Sequence, residues 1–110
     1  MGIEDPGVVD AIGLEPATGF IVLAIGDGLD WTDEEAHLRA LQDKLNAYFT
    51  FIETGELNEA YPDAVGRPVR IDILGRHPFP DHRRDFLAQA IVVAARIQVS
   101  IRHRHDPPTH

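Results

Sequence analysis

The sequence of 110 residues contains no cysteine, and it has only one serine and one lysine. Without cysteine the chain can form no disulfide, no thiolate nucleophile and no cysteine-ligated zinc site. The single serine, Ser100, lies in a strand-like segment among arginines, and no glycine-rich phosphate loop, nucleophile elbow or H-E-x-x-H pattern occurs. These absences favour a non-catalytic protein over an enzyme.

No apolar run approaches the roughly 20 residues that a membrane-spanning helix needs. The first residues carry neither a basic group nor an apolar block, so we expect no secretory signal and a cytoplasmic location. A hydrophobic content of 44% with 25% charged residues is ordinary for a folded protein. We therefore predict a single folded domain over residues 1–105 and a disordered tail over residues 106–110.

Basic residues are scarce in the first part of the chain. Residues 1–64 contain fourteen acidic and two basic residues, which gives −12, whereas residues 65–110 contain four acidic and eight basic residues, which gives +4. The total of −8 argues against nucleic-acid binding, because phosphate contacts need a basic surface. Two explanations stay open: the halves neutralise each other within the fold, or they form a dipolar surface that recruits a partner or a second copy.

One long amphipathic helix organises the sequence. Its apolar stripe recurs at spacings of three and four residues and consists of Leu38, Leu41, Leu45, Tyr48 and Ile52. Thr32 and Glu35 fit a capping box at the start of this helix. We predict that the helix ends at about Thr54 and that a short extra turn follows. His37, beside the stripe, is expected at the surface or at the boundary of the core.

Four segments have the composition of strands. The predicted strands are Val8–Leu14, Phe20–Ile25, Val69–Leu74 and Ile97–His103, and a second helix from Asp81 to about Ala95 buries Phe86, Leu87, Ala90, Ile91 and Ala94. The order β-β-α-β-α-β predicts an α+β fold, a two-layer sandwich with a four-stranded mixed sheet. Because crossovers between parallel strands are right-handed, two crossovers that step the same way place both helices on one face of the sheet.

The other face of the predicted sheet carries the first candidate binding site. The side chains expected there are Arg70, Asp72, Gln98, Ser100 and Arg102. They could hold a small anion, although a ladder of ion pairs on an open sheet face is the commoner explanation. A second candidate is the edge formed by Gln42 and Asn46, which are one turn apart on the flank of the long helix.

The second predicted strand is apolar toward both of its faces. A two-layer fold covers only one face, so apolar surface around Ile21, Leu23 and Ile25, or around their alternates, should remain bare. Bare apolar surface often marks an interface, and we therefore predict a homodimer.

Six histidines raise the possibility of a metal site. His103 and His105 would share one face of the last strand, and His110 could join them from the tail. Arg102 and Arg104 are interleaved with these histidines and would repel a cation. We therefore predict no metal ligand and no cofactor.

Several motifs resemble a family of small bacterial proteins of unknown function. They are I-E-D-P-x-V-V-D (residues 3–10), L-D-W-x-x-E-E-x-H (29–37), L-Q-x-K-L-N-A-Y (41–48), F-I-E-T-G-E-L (51–57) and Y-P-D-A-x-G (61–66). The resemblance implies a stand-alone bacterial domain, and it brings no activity, cofactor or catalytic residue with it.

The sequence leaves two classes of function. The first is a non-catalytic protein-interaction module that binds through its acidic helix start, Asp33, Glu34 and Glu35, or through its open sheet. One version of this module neutralises a basic nuclease toxin, which an acidic surface would attract. The alternative is a small-molecule or metal-binding domain, in which Arg70, Arg102 and the histidines hold an anion or a metal ion.

Overall fold

A computed structural model describes residues 2–106 of the chain. The strands are β1 (Ala11–Leu14), β2 (Ile21–Asp27), β3 (Val69–Gly75) and β4 (Val99–His105). The helices are α1 (Glu34–Glu53), α2 (Glu56–Ala60) and α3 (Arg84–Ala95), with 3-10 turns at Pro62–Ala64 and Asp81–Arg83. The predicted order of the strands and of the two long helices is confirmed, and residues 107–110 of the predicted tail lie outside the described residues.

The four strands form one sheet in the order β1-β2-β3-β4. β1 pairs antiparallel with β2, whereas β2, β3 and β4 are parallel to one another. α1 connects β2 to β3 and α3 connects β3 to β4, so both crossovers step in the same direction and both helices cover the same face. The structure is therefore the predicted α+β two-layer sandwich with a mixed sheet.

The core lies between the sheet and the two long helices. Its fully buried members include Ile21, Leu23 and Ile25 of β2, Ile71 and Ile73 of β3, and Leu41 of α1. The apolar residues of β2 that suggested a bare sheet face thus lie beneath the helices. Their alternates on the open face, Val22 and Ala24, are half-buried. The homodimer remains a prediction, and on the open face Val22 and Ala24 line a groove together with Ile12 and Leu14 of β1.

α1 begins one residue later than the capping box predicts. The N-cap is Asp33, whose Oδ1 accepts a hydrogen bond from the Ala36 backbone nitrogen at 3.1 Å. The Thr32 nitrogen instead donates to Asp30 Oδ1 at 3.0 Å, so Thr32 belongs to a turn that precedes the helix. The predicted Thr32 cap is therefore wrong, whereas the helix end near Thr54 and the extra turn, α2, are confirmed.

α3 exposes more apolar surface than its sequence predicts. Leu87 and Ala94 are buried as expected, but Ile91 is 46% exposed, so its predicted place in the core is wrong. Val92 and Val93 are also exposed. In a helix that is apolar at six consecutive positions, residues 90–95, the pattern alone cannot assign the buried side.

The first and last strands begin later than predicted. β1 starts at Ala11 instead of Val8, and β4 starts at Val99 and continues to His105. Gln98 explains the late start of β4, because its φ of 62° is a left-handed conformation that ends the turn after α3.

Candidate functional site

Four of the five residues predicted on the open sheet face lie together on two neighbouring strands, whereas the predicted place of Gln98 is wrong, because it lies in the turn before β4. Arg70 is opposite Ser100, and Asp72 is opposite Arg102, in the register between β3 and β4. Arg70 Nε donates to Asp72 Oδ1 at 2.7 Å, and Arg102 Nη2 donates to Asp72 Oδ2 at 2.9 Å. Glu15, which follows β1, joins them by accepting from Arg70 Nη1 at 3.2 Å and from Nη2 at 2.9 Å. The open face therefore carries a network of ion pairs.

This network leaves Arg70 with little capacity for a ligand. Its guanidinium uses four of its five N–H groups on Glu15 and Asp72. The hydrogen bonds from Arg70 lower the pKa of Glu15 to about 2, and the hydrogen bonds to Asp72 and Glu15 raise the pKa of Arg70. Arg102 is the more available cation, since its side chain is 44% exposed and Asp72 engages only Nη2.

The acidic start of α1 is also paired within the chain. Glu34 Oε1 accepts hydrogen bonds from Arg83 Nε and from His82 Nε2, both at 2.9 Å. Glu35 Oε1 accepts from Arg83 Nη2 at 2.6 Å. The bond from Arg83 lowers the pKa of Glu34. The predicted acidic binding surface therefore serves first to join the start of α1 to the turn before α3.

A buried histidine and aspartate join the end of β2 to the start of α1. His37 Nε2 lies 2.6 Å from Asp27 Oδ2, and His37 Nδ1 lies 2.8 Å from the carbonyl oxygen of Asp30. Since a carbonyl oxygen can only accept, Nδ1 carries a proton, and a second proton lies between Nε2 and the carboxylate. Trp31 stacks on the imidazole at 3.6 Å between ring centroids. The expected surface or boundary position of His37 is therefore wrong: it is 2% exposed.

A second histidine lies near this pair but has a different environment. His103 Nε2 is buried without a hydrogen-bond partner among the described residues. Phe79 contacts the His103 ring edge to face at 5.3 Å, and a Cβ atom built on Gly75 would come within 2.8 Å of Nε2. Burial lowers the pKa of His103. Burial and close packing thus favour the neutral form of this imidazole over the charged form.

The single lysine of the chain is entirely buried. Lys44 Nζ donates to the carbonyl oxygens of Asp5, at 2.6 Å, and of Val8, and to Asp10 Oδ1 at 3.1 Å. It also lies 5.5 Å from the centroid of the Tyr48 ring. Three acceptors satisfy the three N–H groups of the ammonium, which has no lone pair to act as a nucleophile. Lys44 therefore clamps the segment before β1 onto α1.

The partners of Lys44 extend this clamp to the sheet. Asp10 accepts hydrogen bonds from the backbone nitrogens of Gly2 at 3.1 Å and Gly26 at 2.9 Å. The Tyr48 hydroxyl donates to the carbonyl oxygen of Ala24 at 2.6 Å and accepts from the Asp10 nitrogen at 2.9 Å. Burial raises the pKa of Tyr48 to about 12. The cluster of Lys44, Asp10 and Tyr48 is therefore structural, because each of its polar groups is hydrogen-bonded to another part of the chain.

The two predicted amide residues line a groove between α1 and α3. Gln42 and Asn46 form one side of a groove of about 140 Å³, and Gln89 of α3 contributes a third amide. The remaining lining residues are apolar: Leu45, Phe49, Phe86, Ala90 and Val93. The groove therefore combines an apolar floor with neutral groups that both donate and accept hydrogen bonds.

Exposed apolar side chains continue from this groove along α3. Val93 lines the groove and is 43% exposed, and the neighbouring Val92 is 54% exposed. Ile91 is also exposed, but it is not part of the groove. Large exposed apolar side chains thus lie beside an open groove in the helix layer, as Leu14 does on the sheet in a groove that Ile12 and Val22 also line.

Two buried polar residues escape prediction from the sequence, although a signal for both exists. His37, Leu41, Lys44 and Tyr48 recur at spacings of four, three and four, which places them on one stripe of α1. A histidine and a lysine on the apolar side of a helix need buried partners. The sequence could therefore have identified both as buried, but their partners come from other segments.

The described residues contain no group of three or more histidine, aspartate or glutamate side chains placed to hold a metal ion. His110, which could have joined His103 and His105, lies outside the described residues. No helix in residues 2–106 is sufficiently long and apolar to pass through a bilayer.

Comparison with known proteins places the chain in a family without assigning an activity. No curated protein and no solved structure shows significant similarity to it. A family of unknown function, DUF6572, matches residues 1–106, and the chain therefore belongs to that family.

Proposed function

We propose that this chain is a non-catalytic protein-interaction module of a bacterial cytoplasmic protein, and that it binds through the groove between α1 and α3. The observation that carries the proposal is the exposure of Val92 (54%) and Val93 (43%) beside a groove lined by Phe49 and Phe86. Apolar patches with a polar rim mark interaction surfaces, because burying them against a partner removes apolar area from water.

The position of the groove between α1 and α3 favours a helix of a partner protein as its occupant. A helix that lies between two others contacts both through side chains three and four residues apart. Gln42, Asn46 and Gln89 can bond polar side chains of that helix, while Phe49 and Phe86 contact its apolar stripe. Because these lining residues are uncharged, the occupant contributes an amphipathic surface instead of a single ion.

The charged surfaces have an accessory role in this binding, because most of their charges are already paired within the chain. Glu34 and Glu35 are already paired with Arg83, and Arg70 is already paired with Glu15 and Asp72. The net charge of −8 still attracts a basic protein over a distance and speeds its association. Neutralisation of a basic nuclease toxin is the version of the proposal in which this attraction matters most.

The alternative function, an anion or metal site on the open sheet face, has weaker support. An anion there would compete with Glu15 and Asp72 for Arg70, and it would approach two carboxylates. The groups that remain for such a ligand are the free edge of Arg102, the exposed Ser100, and Arg104, which is exposed on the same face of β4.

The test uses V93D, which places a charge in the groove, and I91D as a matched control. Both positions are exposed on α3 and both variants add one negative charge, but only Val93 lines the groove. Each protein, with its unaltered parent, is used as bait in a lysate of the source organism, and its own sedimentation is measured in parallel. We expect the parent and I91D to bind protein, either themselves or another chain, and V93D to lose that binding.

The proposal is overturned if the parent binds no protein in either measurement, or if V93D and I91D bind as well as the parent. A basic nuclease that is captured by the parent and I91D, and inhibited by both, would identify the toxin-neutralising version. A thermal shift of the parent with phosphate, and its loss in R102A, would favour the anion site instead.

A further inference from the structure

The outward side of α3 carries a stripe that runs the full length of the helix. Asp85, Gln89, Val92 and Arg96 follow one another at spacings of four, three and four residues, so they lie on one line along α3. All four are exposed. Ile91 lies on a different flank of the helix, because it is only one or two residues away from two members of this stripe.

The two ends of this stripe carry opposite charges. Asp85 is in the first turn of α3 and Arg96 is the C-cap residue. Neither makes an ion pair within residues 2–106. Gln89 and Val92, between them, are uncharged. A stripe with an acid at one end and a base at the other is complementary to itself when it is turned end over end.

We infer that the partner of the groove surface is a second copy of this chain, with the two α3 helices packed antiparallel around a two-fold axis. This inference rests on the proposed function and names the partner. An axis that passes between Gln89 and Val92 brings Asp85 opposite Arg96 of the partner subunit, and Gln89 opposite Val92 of the partner subunit. Two-fold symmetry makes each of these contacts twice.

A parallel arrangement of the same helices would not have this complementarity. It would place Asp85 against Asp85 of the partner subunit and Arg96 against Arg96 of the partner subunit, which is repulsive at both ends. The antiparallel arrangement also suits a chain of net charge −8, because the contact itself is neutral. The amides of Gln42 and Asn46, beside the stripe, both donate and accept and can therefore bond to the same groups in a second copy.

The contact also covers the exposed apolar residues of α3. Val93 is next to the stripe and lines the groove, so packing a second α3 there removes Val92 and Val93 from water together. A helix of 12 residues is only about 18 Å long, so the interface is small. Interfaces at the low end of the size range are weak, and the dimer should dissociate at micromolar concentrations.

Sedimentation equilibrium of charge-swapped variants tests this arrangement. We expect the parent to associate from the monomer mass of 12.2 kDa to twice that mass, and D85R and R96D each to weaken association at least tenfold. The double variant D85R/R96D restores the opposite pairing and should recover the dimer. V92D should be monomeric, and I91D, on the other flank, should dimerise like the parent.

Cross-linking provides a second measurement that does not depend on changing charge. Because the chain has no native cysteine, a mixture of Q89C and V92C can form a disulfide only between two molecules. The arrangement predicts faster cross-linking in this mixture than in a mixture of I91C and V92C. Circular dichroism of each variant verifies that its helices are intact before either measurement is interpreted.

Three results would overturn the inference. In the first, the parent stays monomeric at several hundred micromolar. In the second, the parent dimerises but D85R and R96D leave its association unchanged. In the third, either single change removes the dimer but the double variant does not recover it. A monomeric parent that captures another protein, with loss of capture in V93D, would overturn the inference while supporting the proposed function. A monomeric parent that captures nothing would overturn both.

Discussion

Replacing Lys44 by methionine should lower the stability of the chain more than any surface change. Methionine retains most of the aliphatic volume but removes the ammonium that binds the carbonyl oxygens of Asp5 and Val8 and the carboxylate of Asp10. Lys44 is 0% exposed and the Asp10 side chain is 10% exposed, so little water is available to replace the lost bonds. The variant removes the cation beside the poorly solvated Asp10 carboxylate and leaves the Val8 carbonyl unpaired, whereas the Asp5 carbonyl still accepts from the Val8 nitrogen at 3.3 Å.

The size of the effect follows from this burial. Removing one partner of a buried ion pair costs about 3–5 kcal/mol, against a total stability of about 5–15 kcal/mol for a typical domain. With a urea dependence of about 2 kcal/mol per molar, the unfolding midpoint should fall by roughly 2 M. Adding D10N should not recover this loss, because both carboxylate oxygens of Asp10 accept backbone hydrogen bonds, from Gly2 and Gly26, and an amide nitrogen cannot accept one of them.

Equilibrium unfolding in urea, followed by far-ultraviolet circular dichroism, measures this change. Arg39 is exposed on the same helix, and R39M is the matched control that should leave the midpoint within about 0.3 M of the parent. A K44M midpoint as close to the parent as that of R39M would refute the clamp. Because Lys44 is the only lysine, slow reaction of its amine with an acylating reagent in the native chain provides an independent check.

Two further predictions concern the core and its dependence on pH. L45A should cost about 2–5 kcal/mol, because Leu45 is 2% exposed between the helices and the sheet, and an unchanged urea midpoint would contradict this. Burial lowers the pKa of His103 below 6.5, so the fold favours the neutral imidazole. Its contribution to stability is therefore complete above about pH 6.5 and is lost as the pH falls through the lower pKa of the folded chain. The melting temperature of the parent should thus decrease more between pH 7 and pH 5 than that of H103L, and equal decreases would count against this environment for His103.

The strands and the long helix could be predicted because their patterns are local. The alternation in β3 and the stripe of α1 are properties of neighbouring residues, and they survive into the structure with shifts of a few residues at the ends. These shifts at the ends are caused by single hydrogen bonds and backbone conformations, which the periodicity of the sequence does not show. Asp30 captures the Thr32 nitrogen before the helix starts, and Gln98 adopts a left-handed conformation where the sequence suggests a strand.

The partners of the buried polar residues could not be predicted from local patterns, because they are distant in sequence. The sequence around His37 suggests a surface residue. Its burial is explained only by Asp27 at the end of β2, whose Oδ2 lies 2.6 Å from His37 Nε2. Lys44 depends on three acceptors in residues 5–10, a segment whose path no pattern in α1 determines. The spacing of Gln42 and Asn46 places them on one flank of α1, but only the structure shows that this flank faces α3.

The order of the strands across the sheet repeats their order along the chain, and this has a consequence for synthesis on the ribosome. Each strand that leaves the ribosome adds to the edge formed by the strand before it, and none has to enter between two strands that have already paired. The growing sheet therefore has a single advancing edge, first β2, then β3 and finally β4. That edge stops at the strand that carries Arg102 and Arg104, and charged side chains of this kind discourage the pairing of a further strand from another chain.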